Sequence, residues 1–403
     1  MLCVSAFRSV LTLKSSAPRP RIALIVEASR AYGRELLAGV SLFARTQVDW
    51  SLLHQEMMLD SELPDWIEEA GVTGVIARVD SHTIEPLRRL GVPIVDVRCN
   101  RKFQGVPQVE TDNRAVAQLA FDHLWERGFR KFAFSGFRFA SYSMARRDHF
   151  RKLVHEAGCE LSVYESGGSP SGTLTTQEQA GVFDLKQMAE WIDNLGRPTG
   201  LLVCNDIRGQ QVLNACRSVD VAIPDDLGVI GVDDDDAICM MCDPSLSSVR
   251  PNAKRVGYRA AQVLHGMLLG IAPEQETEFV VPLSVTERQT TQVVAVEDKE
   301  LARVCRFIRQ AACDGINVAD VVKFSSLSRR PLERRLRVEL DMTPRELITQ
   351  TQIERVKQLL RETSMTLEQI SKRTGFSHKE RLSAVFKRET GQTPGCYRQE
   401  HLD

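Results

Sequence analysis

The 403-residue sequence lacks several features that would assign it at once to a common class of protein. It contains no run of eighteen or more apolar residues, so we expect no transmembrane segment. It has no G-x-x-x-x-G-K-[ST] phosphate loop, no G-x-S-x-G nucleophile motif and no H-E-x-x-H zinc motif. Its eight histidines form no spaced catalytic or metal-binding pattern. We therefore expect a protein that is not an enzyme, with no catalytic residue, no cofactor and no metal.

Cysteine is present but unpatterned, since the ten residues do not have the spacing of a disulfide scaffold. In a chain of this length they indicate reduced thiols in a cytoplasmic protein. Cys239 and Cys242 form a lone C-x-x-C, whereas a structural zinc site needs two further ligands. We interpret the pair as part of an ordinary loop. In the segment 1–20, Arg8 interrupts a mildly apolar stretch, which predicts a disordered extension and not a targeting signal.

Charge is divided unevenly along the chain, although the formal net charge is only -1. From Lys299 to Asp403 there are 21 Lys and Arg against 14 Asp and Glu, which gives +7. The preceding residues carry 31 basic and 39 acidic side chains, which gives -8. A basic module behind an acidic one indicates contact with nucleic acid.

The part of the chain before the basic module alternates between short apolar runs and helical stretches. The first run and helix span 22–26 and 34–46, and the same rhythm resumes at 131–135 and reaches 227–232. Such alternation predicts parallel sheets covered by helices on both faces. The Gly-, Ser- and Thr-rich stretch 166–179 is predicted to be a surface loop. We expect two similar α/β lobes with a cleft between them.

The tail after Val294 shows only helical patterns, and part of it occurs twice. The segments 335–344 and 385–394 match at an offset of 50 residues, and both end in Thr-Pro. Capping boxes are predicted at Thr366 and Ser377. Each copy has a short helix, a turn and a basic helix, which predicts two helix-turn-helix motifs.

The second copy carries the string G-F-S, L-x-x-x-F-K and G-x-T-P-x-x-Y-R between Gly375 and Arg398. In this string the tail resembles the DNA-binding domain of AraC-type transcription activators. The resemblance implies that one helix of each motif reads base edges, where arginine can bind guanine bidentately and glutamate can accept from cytosine. The implied DNA-binding residues are Arg329, Arg330, Glu333 and Arg334 in the first motif and Lys379, Glu380, Arg381 and Ser383 in the second. For Glu380, a role only in the capping box with Ser377 is the alternative.

Four stretches carry a second resemblance, at 110–113, 201–206, 223–234 and 244–249. In them the chain is similar to the effector domain of LacI-type regulators, which have the type I periplasmic-binding-protein fold. Together the two resemblances imply an α/β two-lobed periplasmic-binding-protein type I domain followed by an all-α domain with two helix-turn-helix motifs. The expected boundaries are 1–20 for the extension, 21–289 for the effector domain, 290–298 for a linker and 299–403 for the DNA-binding domain.

Polar residues at the carboxyl ends of the predicted strands are the candidates for effector binding. Carboxylates, amides and arginine suit sugars because they form hydrogen bonds with hydroxyl groups. The candidates are Asn205, Asp206, Asp233 and Arg146, the last at the position of the LacI-type effector arginine, with Asp112, Tyr32 and Arg78 as weaker ones. For Asp206 and Asp233, helix capping or lobe structure is the alternative. The acidic run 233–236 also permits a metal site, but a solvated loop is the favoured interpretation.

These patterns and resemblances predict a cytoplasmic, ligand-responsive regulator that binds promoter DNA and no membrane. The family resemblance implies a homodimer formed through the front domain, lobe closure that re-aims the DNA-binding domains, and recruitment of RNA polymerase. We expect a monosaccharide effector such as xylose and activation of sugar catabolism genes. The alternative is a repressor, or a regulator that responds to a non-sugar ligand such as a phosphorylated or nucleoside-like molecule.

Overall fold

The computed structural model describes residues 19–55, 63–97, 101–167, 174–292, 296 and 298–400. Most of the predicted extension and part of the predicted linker therefore lie outside the described residues. Over the described ranges, no helix combines the length and the apolar character needed to cross a bilayer.

Twelve strands are found in the described ranges of the chain, and all of them lie in its first 290 residues with the helices α1 to α10 between them. The strands are β1 (Arg21–Ile25), β2 (Ser51–His54), β3 (Gly74–Ala77), β4 (Ile94–Asp96), β5 (Gln108–Thr111), β6 (Phe132–Phe137), β7 (Leu161–Ser166), β8 (Thr199–Val203), β9 (Leu227–Val232), β10 (Ser247–Arg250), β11 (Thr277–Val280) and β12 (Ser284–Thr286). The helices are α1 (Ala31–Gln47), α2 (Trp66–Glu69), α3 (Ile84–Arg89), α4 (Asn113–Glu126), α5 (Ser141–Glu156), α6 (Leu174–Phe183), α7 (Leu185–Asp193), α8 (Asp206–Cys216), α9 (Asp236–Met241) and α10 (Ala253–Leu268).

The N-terminal lobe is built on a parallel sheet with the strand order β11-β5-β4-β3-β1-β2. β1 pairs with β3 so that Ile22 lies opposite Gly74 and Ile25 opposite Ala77. Helices α1 and α10 cover one face and approach each other closely. A Cβ atom on Gly39 would lie 1.9 Å from the backbone oxygen of Lys254, so only glycine permits this contact.

The C-terminal lobe has the strand order β12-β10-β9-β8-β6-β7. Only the short β12 runs antiparallel to its neighbour, β10. Strands β6 and β9 are buried along their whole length, as expected for parallel strands with helices on both faces. The chain crosses between the lobes after β5, after β10 and after β11. The prediction of two similar α/β lobes is therefore confirmed.

The predicted surface loop 166–179 is wrong in its second half, because α6 begins at Leu174. Glu178 in this helix is only 5% exposed. The side chain of Gln211 in α8 donates to the backbone oxygen of Glu178 at 2.9 Å. The helix is thus held against α8 by a polar contact. Its sequence has no apolar stripe, which is why the pattern of residues did not predict a helix here.

The C-terminal domain is entirely helical in its described residues. Its helices are α11 (Lys299–Ala311), α12 (Val318–Phe324), α13 (Arg329–Leu340), α14 (Pro344–Glu362), α15 (Leu367–Arg373), α16 (Lys379–Thr390) and α17 (Pro394–Glu400). Leu332 and Leu336 anchor α13 in one core, and Leu382 and Phe386 anchor α16 in a second core. These pairs are related by the repeat offset of 50 residues, so the repeat in the sequence is a repeat of core positions.

The helix starts follow the predicted capping signals with one exception. Reciprocal capping boxes form at Thr343 and at Thr366. The predicted box at Ser377 is wrong, because α16 begins at Lys379 and its N-cap residue is His378, whose side chain makes no capping hydrogen bond. The turn before α16 is one residue longer than the capping pattern assumed.

Candidate effector site and DNA-reading surface

Arg146 lies in the cleft as a buried guanidinium with fixed partners. Its Nε donates to Oδ1 of Asn113 at 2.9 Å, and its Nη1 donates to the backbone oxygen of Cys204. Its Nη2 lies 3.9 Å from Oδ1 of Asp233. Because two protein acceptors hold the planar group, its orientation is set before a ligand arrives, which favours directional recognition.

Asp233 follows β9 directly and has a backbone φ of 115°, a value that residues other than glycine rarely adopt. Such strain occurs preferentially at functional sites. Burial raises the pKa of the Asp233 carboxyl to about 6, and the neighbouring Glu178 also raises it, while Arg146, Arg30 and Arg78 lower it. A strained backbone and a carboxyl among three cations distinguish this position from an ordinary loop aspartate.

A pair of residues that the sequence analysis missed joins the two lobes across the cleft. Arg30, just before α1, donates to both carboxylate oxygens of Glu178 at 2.7 and 2.5 Å. Burial lowers the pKa of Arg30, but the hydrogen bond and charge of Glu178, together with Tyr142 and Asp233, outweigh burial, so the pKa is raised. Nearby, the backbone nitrogen of Ala31 donates to Oδ2 of Asp235 at 3.0 Å. These contacts join the two lobes across the cleft.

Asn205 lies beside this interlobe pair at the start of α8. Its Oδ1 accepts from the backbone nitrogen of Arg208 at 2.9 Å and so caps the helix. Its Nδ2 is 3.3 Å from Oε1 of Glu178 and 3.2 Å from the hydroxyl of Tyr142. The amide therefore links the capped helix to the charged groups of the cleft.

Two predicted effector residues make structural contacts in this arrangement. The carboxylate of Asp112 accepts from two backbone N–H groups of the first turn of α4, at 2.9 and 3.0 Å. Asp206 accepts from the hydroxyl of Ser248 at 2.6 Å and from the backbone nitrogen of Asp235 at 2.8 Å. Burial raises the pKa of Asp206 well above its usual value, and the nearby Asp233 raises it further. Asp206 thus holds the loop that carries Asp233 in place. This contact agrees with a role in lobe structure, the alternative given for Asp206 above.

The N-terminal lobe contributes an aromatic and a second ion pair to the cleft. The hydroxyl groups of Tyr32 and Thr111 are 3.1 Å apart. The guanidinium of Arg78 lies 5.5 Å from the centre of the Tyr32 ring and 2.9 Å from the carboxylate of Glu27. Glu27 and Arg30 both follow the carboxyl end of β1, a position that could have indicated them from the sequence. Glu178 had no such signal, because it lies within the stretch that resembles a loop.

Protein contacts account for the rest of the acidic run. Arg288 pairs with Asp234 at 2.8 Å and with Asp236 at 2.9 Å. Across the ranges that the structure describes, no group of three His, Cys, Asp or Glu side chains is arranged to hold a metal ion. These carboxylates therefore need no metal to explain them.

The helices predicted to read bases are α13 and α16, and they carry the predicted DNA-binding residues on their outer faces. Arg329, Arg330, Arg334, Lys379, Glu380 and Arg381 are exposed, and Glu333 and Ser383 are partly buried. Within α13, Nε of Arg329 is 2.8 Å from Oε1 of Glu333, so this pair orients one arginine. The buried core residues on the opposite faces fix the rotation of both helices.

A two-lobed ligand-binding domain joined to a double helix-turn-helix domain defines a ligand-responsive, DNA-binding transcription regulator. Three families of protein domains match parts of the chain and agree with this class. The family of XylR N-terminal domains matches residues 21–114, that of periplasmic binding protein-like domains matches 121–291, and that of helix-turn-helix domains matches 321–400.

Proteins similar over nearly the whole chain identify the family. The xylose operon regulatory protein of Escherichia coli K12 is 30% identical over 392 residues, which cover 94% of this chain and 97% of that protein. The protein of the same name from Haemophilus influenzae is 28% identical and covers 94% and 98%. A solved structure of the xylose-binding transcription activator XylR superposes with a TM-score of 0.76 at 28% identity, over 96% of this chain and 99% of that one. The chain belongs to the family of xylose operon regulatory proteins.

Proposed function

We propose that this chain is a cytoplasmic activator of sugar catabolism genes and that its cleft binds D-xylose. The arrangement of Arg146 and Asp233 carries the proposal, because a guanidinium donates to sugar hydroxyl oxygens while a carboxylate accepts from sugar hydroxyl groups. The names of the relatives support xylose among the sugars. Asn205 and Tyr32 complete the proposed polar wall, and Asp112 and Asp206 contribute by holding the helix and the loop that border it.

The proposed DNA contacts are made by the exposed residues of α13 and α16, and the family supports recruitment of RNA polymerase at the promoter. A homodimer is supported by an apolar row that begins on β11, the edge strand of the N-terminal sheet, and continues into the segment that crosses to the C-terminal lobe. Phe279, Val281 and Leu283 are 57%, 62% and 52% exposed and alternate along β11 and the segment after it. An exposed apolar edge strand favours pairing with another chain. Analytical ultracentrifugation should therefore find a dimer that Val281→Arg weakens.

A thermal-unfolding screen tests the effector proposal. The panel contains D-xylose, L-arabinose, D-ribose, D-glucose, ribose 5-phosphate and a nucleoside. A ligand present at 100 times its Kd stabilises the folded state by about 2.7 kcal/mol, so D-xylose should raise the melting temperature and the others should not at equal concentration. A shift with the phosphorylated sugar or the nucleoside alone would contradict the proposal and favour a non-sugar effector.

A further inference from the structure

The DNA-binding domain contacts the effector domain through charged side chains of its first helix. Nη2 of Arg306 in α11 lies 2.8 Å from both carboxylate oxygens of Asp226. Nη2 of Arg309, one turn further, lies 2.7 Å from Oδ1 of Asp225. The side chains of Asp225 and Asp226 are only 7% and 11% exposed. Their arginine partners are 18% and 31% exposed, so these half-buried pairs are screened less by water and salt than pairs on an open surface.

The same face of the DNA-binding domain makes a further contact and leaves the reading helices uncovered. Nε2 of Gln289, at the end of the C-terminal lobe, is 3.2 Å from Oε1 of Gln358 in α14. Arg330 in α13 and Arg381 in α16 remain exposed in the docked arrangement. The contact with the lobe therefore orients the DNA-binding domain and does not cover its reading surface.

The docking aspartates and the effector aspartate lie at opposite ends of one strand. Asp226 immediately precedes β9 and Asp233 immediately follows it. All six residues of β9 are buried, and the strand pairs with β8 on one side and β10 on the other. At the usual rise per residue, this strand separates the two ends by about 20 Å. A single central strand thus connects the docking face to the cleft.

We propose that the Arg306–Asp226 and Arg309–Asp225 pairs transmit the effector signal by fixing the DNA-binding domain to the C-terminal lobe, so that both move as one body when the cleft closes. This inference rests on the proposed function. Lobes of this kind close as rigid bodies about the crossing segments. A ligand that stabilises the closed cleft then fixes the position of the DNA-binding domain relative to the N-terminal lobe, and this position sets the affinity for DNA.

The test compares the coupling between D-xylose and DNA in the full chain and in variants. The DNA is an operator selected from a random library by the unmodified protein, and the coupling is the ratio of its Kd values without and with D-xylose. Allosteric coupling is typically about 5- to 150-fold. In Arg306→Gln/Arg309→Gln the ratio should move to within about twofold of 1, while the Kd for D-xylose without DNA stays within about twofold of the original.

Four further variants separate lost coupling from lost folding or lost charge. Asp225→Arg and Arg309→Asp should each reduce the coupling, and the double exchange should restore it. Asp225 suits this exchange because, among the described residues, its side chain forms hydrogen bonds with Arg309, whereas Asp226 also accepts from the backbone nitrogen of Ala222. Arg217→Gln/Asp243→Asn is the matched control, because this ion pair lies on the same lobe but is 61% and 89% exposed. The coupling between D-xylose and DNA should be unchanged in this variant.

The outcomes distinguish the inference from the proposed function. Full coupling in Arg306→Gln/Arg309→Gln, or an exchange that recovers nothing, overturns the inference alone. An unmodified protein whose DNA affinity does not respond to D-xylose overturns the proposed function and the inference with it.

Discussion

Asp233 and Arg146 differ from the other charged pairs of the cleft because their charged groups lie close without forming a direct hydrogen bond. Arg146 is held by Asn113 and Cys204, and its third contact with Asp233 is long at 3.9 Å. A gap of this length leaves both groups able to bind a hydroxyl group placed between them, because a hydrogen bond needs about 2.7–3.2 Å. The other cleft carboxylates already have arginine partners, since Glu178 pairs with Arg30 and Glu27 pairs with Arg78.

Replacing either member of this pair should weaken binding of D-xylose. Arg146→Ala or Asp233→Ala removes a partner of buried ligand hydroxyl groups, which costs about 1–3 kcal/mol each. Isothermal titration calorimetry measures the affinity. Arg147→Ala is the control, because Arg147 pairs with Glu165 at 2.8 Å and not with the cleft. Unchanged affinity in both cleft variants would place the effector elsewhere.

Affinity for D-xylose should fall as the pH drops through about 6. Burial raises the pKa of Asp233 to about 6, so its carboxyl becomes protonated in this range and loses acceptor capacity. A raised pKa in the folded state means that protonation of this group favours folding, so unfolding through it cannot explain the loss. Calorimetry between pH 5 and 8 measures the effect. Asp233→Asn should bind weakly with a flat profile, whereas the same slope in this variant would assign the titration to another group.

At the level of secondary-structure elements, the sequence predicted those strands and helices whose apolar residues recur at a regular spacing. The sequence predicted a strand at 227–232 and a helix at 34–46, and β9 and α1 form there, because buried strands and amphipathic helices carry their pattern locally. β10 and β11 were not predicted. Ser247 and Ser248 are buried polar residues, and Phe279 is exposed on an edge strand, so neighbouring strands and not composition determine these elements.

The residues of the candidate site also divide into those that a local pattern predicts and those that depend on a distant segment. Asp233 and Asn205 were predicted because they end strands, where ligands of parallel sheets bind. Glu178 was missed because its role depends on Arg30, which lies 148 residues earlier in the chain. A pairing between distant segments leaves no pattern in the local sequence.

Helix α6 should contribute to effector affinity through its interlobe ion pair. Glu178→Gln leaves the partly buried Arg30 without its charge partner, so closure weakens and the Kd for D-xylose should rise about tenfold, or about 1.4 kcal/mol. The pair between Arg250 and Glu35 also bridges the lobes, but it is 48% and 40% exposed. Glu35→Gln should therefore cost less than about 1 kcal/mol. Equal effects of the two replacements on the Kd would contradict this role of α6.

The reading helices should determine sequence preference for DNA. Arg330→Ala or Arg334→Ala should cost about 1–3 kcal/mol of specific binding and relax the base preference at one position. Arg335→Ala is the control on the same helix, because Arg335 pairs with Asp298 at 3.0 Å. Binding is compared on the selected operator and on random DNA. An unchanged ratio of specific to non-specific affinity in both variants would show that α13 does not read bases.

The whole molecule consists of an N-terminal lobe, a C-terminal lobe and a DNA-binding domain, with the C-terminal lobe in contact with both others. Arg30 and Glu178 join the two lobes, and Arg306 and Asp226 join the C-terminal lobe to the DNA-binding domain. The acidic front of the chain and the basic tail are thus linked by charge pairs as well as by the backbone. This arrangement allows a small ligand in the cleft to bias the position of the reading helices.

A titration of the full-length protein with D-xylose, with and without operator DNA, tests this account most directly. If the sugar favours the DNA-binding state, linkage requires DNA to tighten sugar binding by the same factor by which sugar tightens DNA binding. We expect a lower Kd for D-xylose in the presence of saturating operator, by the factor that D-xylose itself produces on the Kd for DNA. Identical Kd values for D-xylose with and without operator would contradict allosteric activation, even if the cleft binds the sugar and the tail binds DNA.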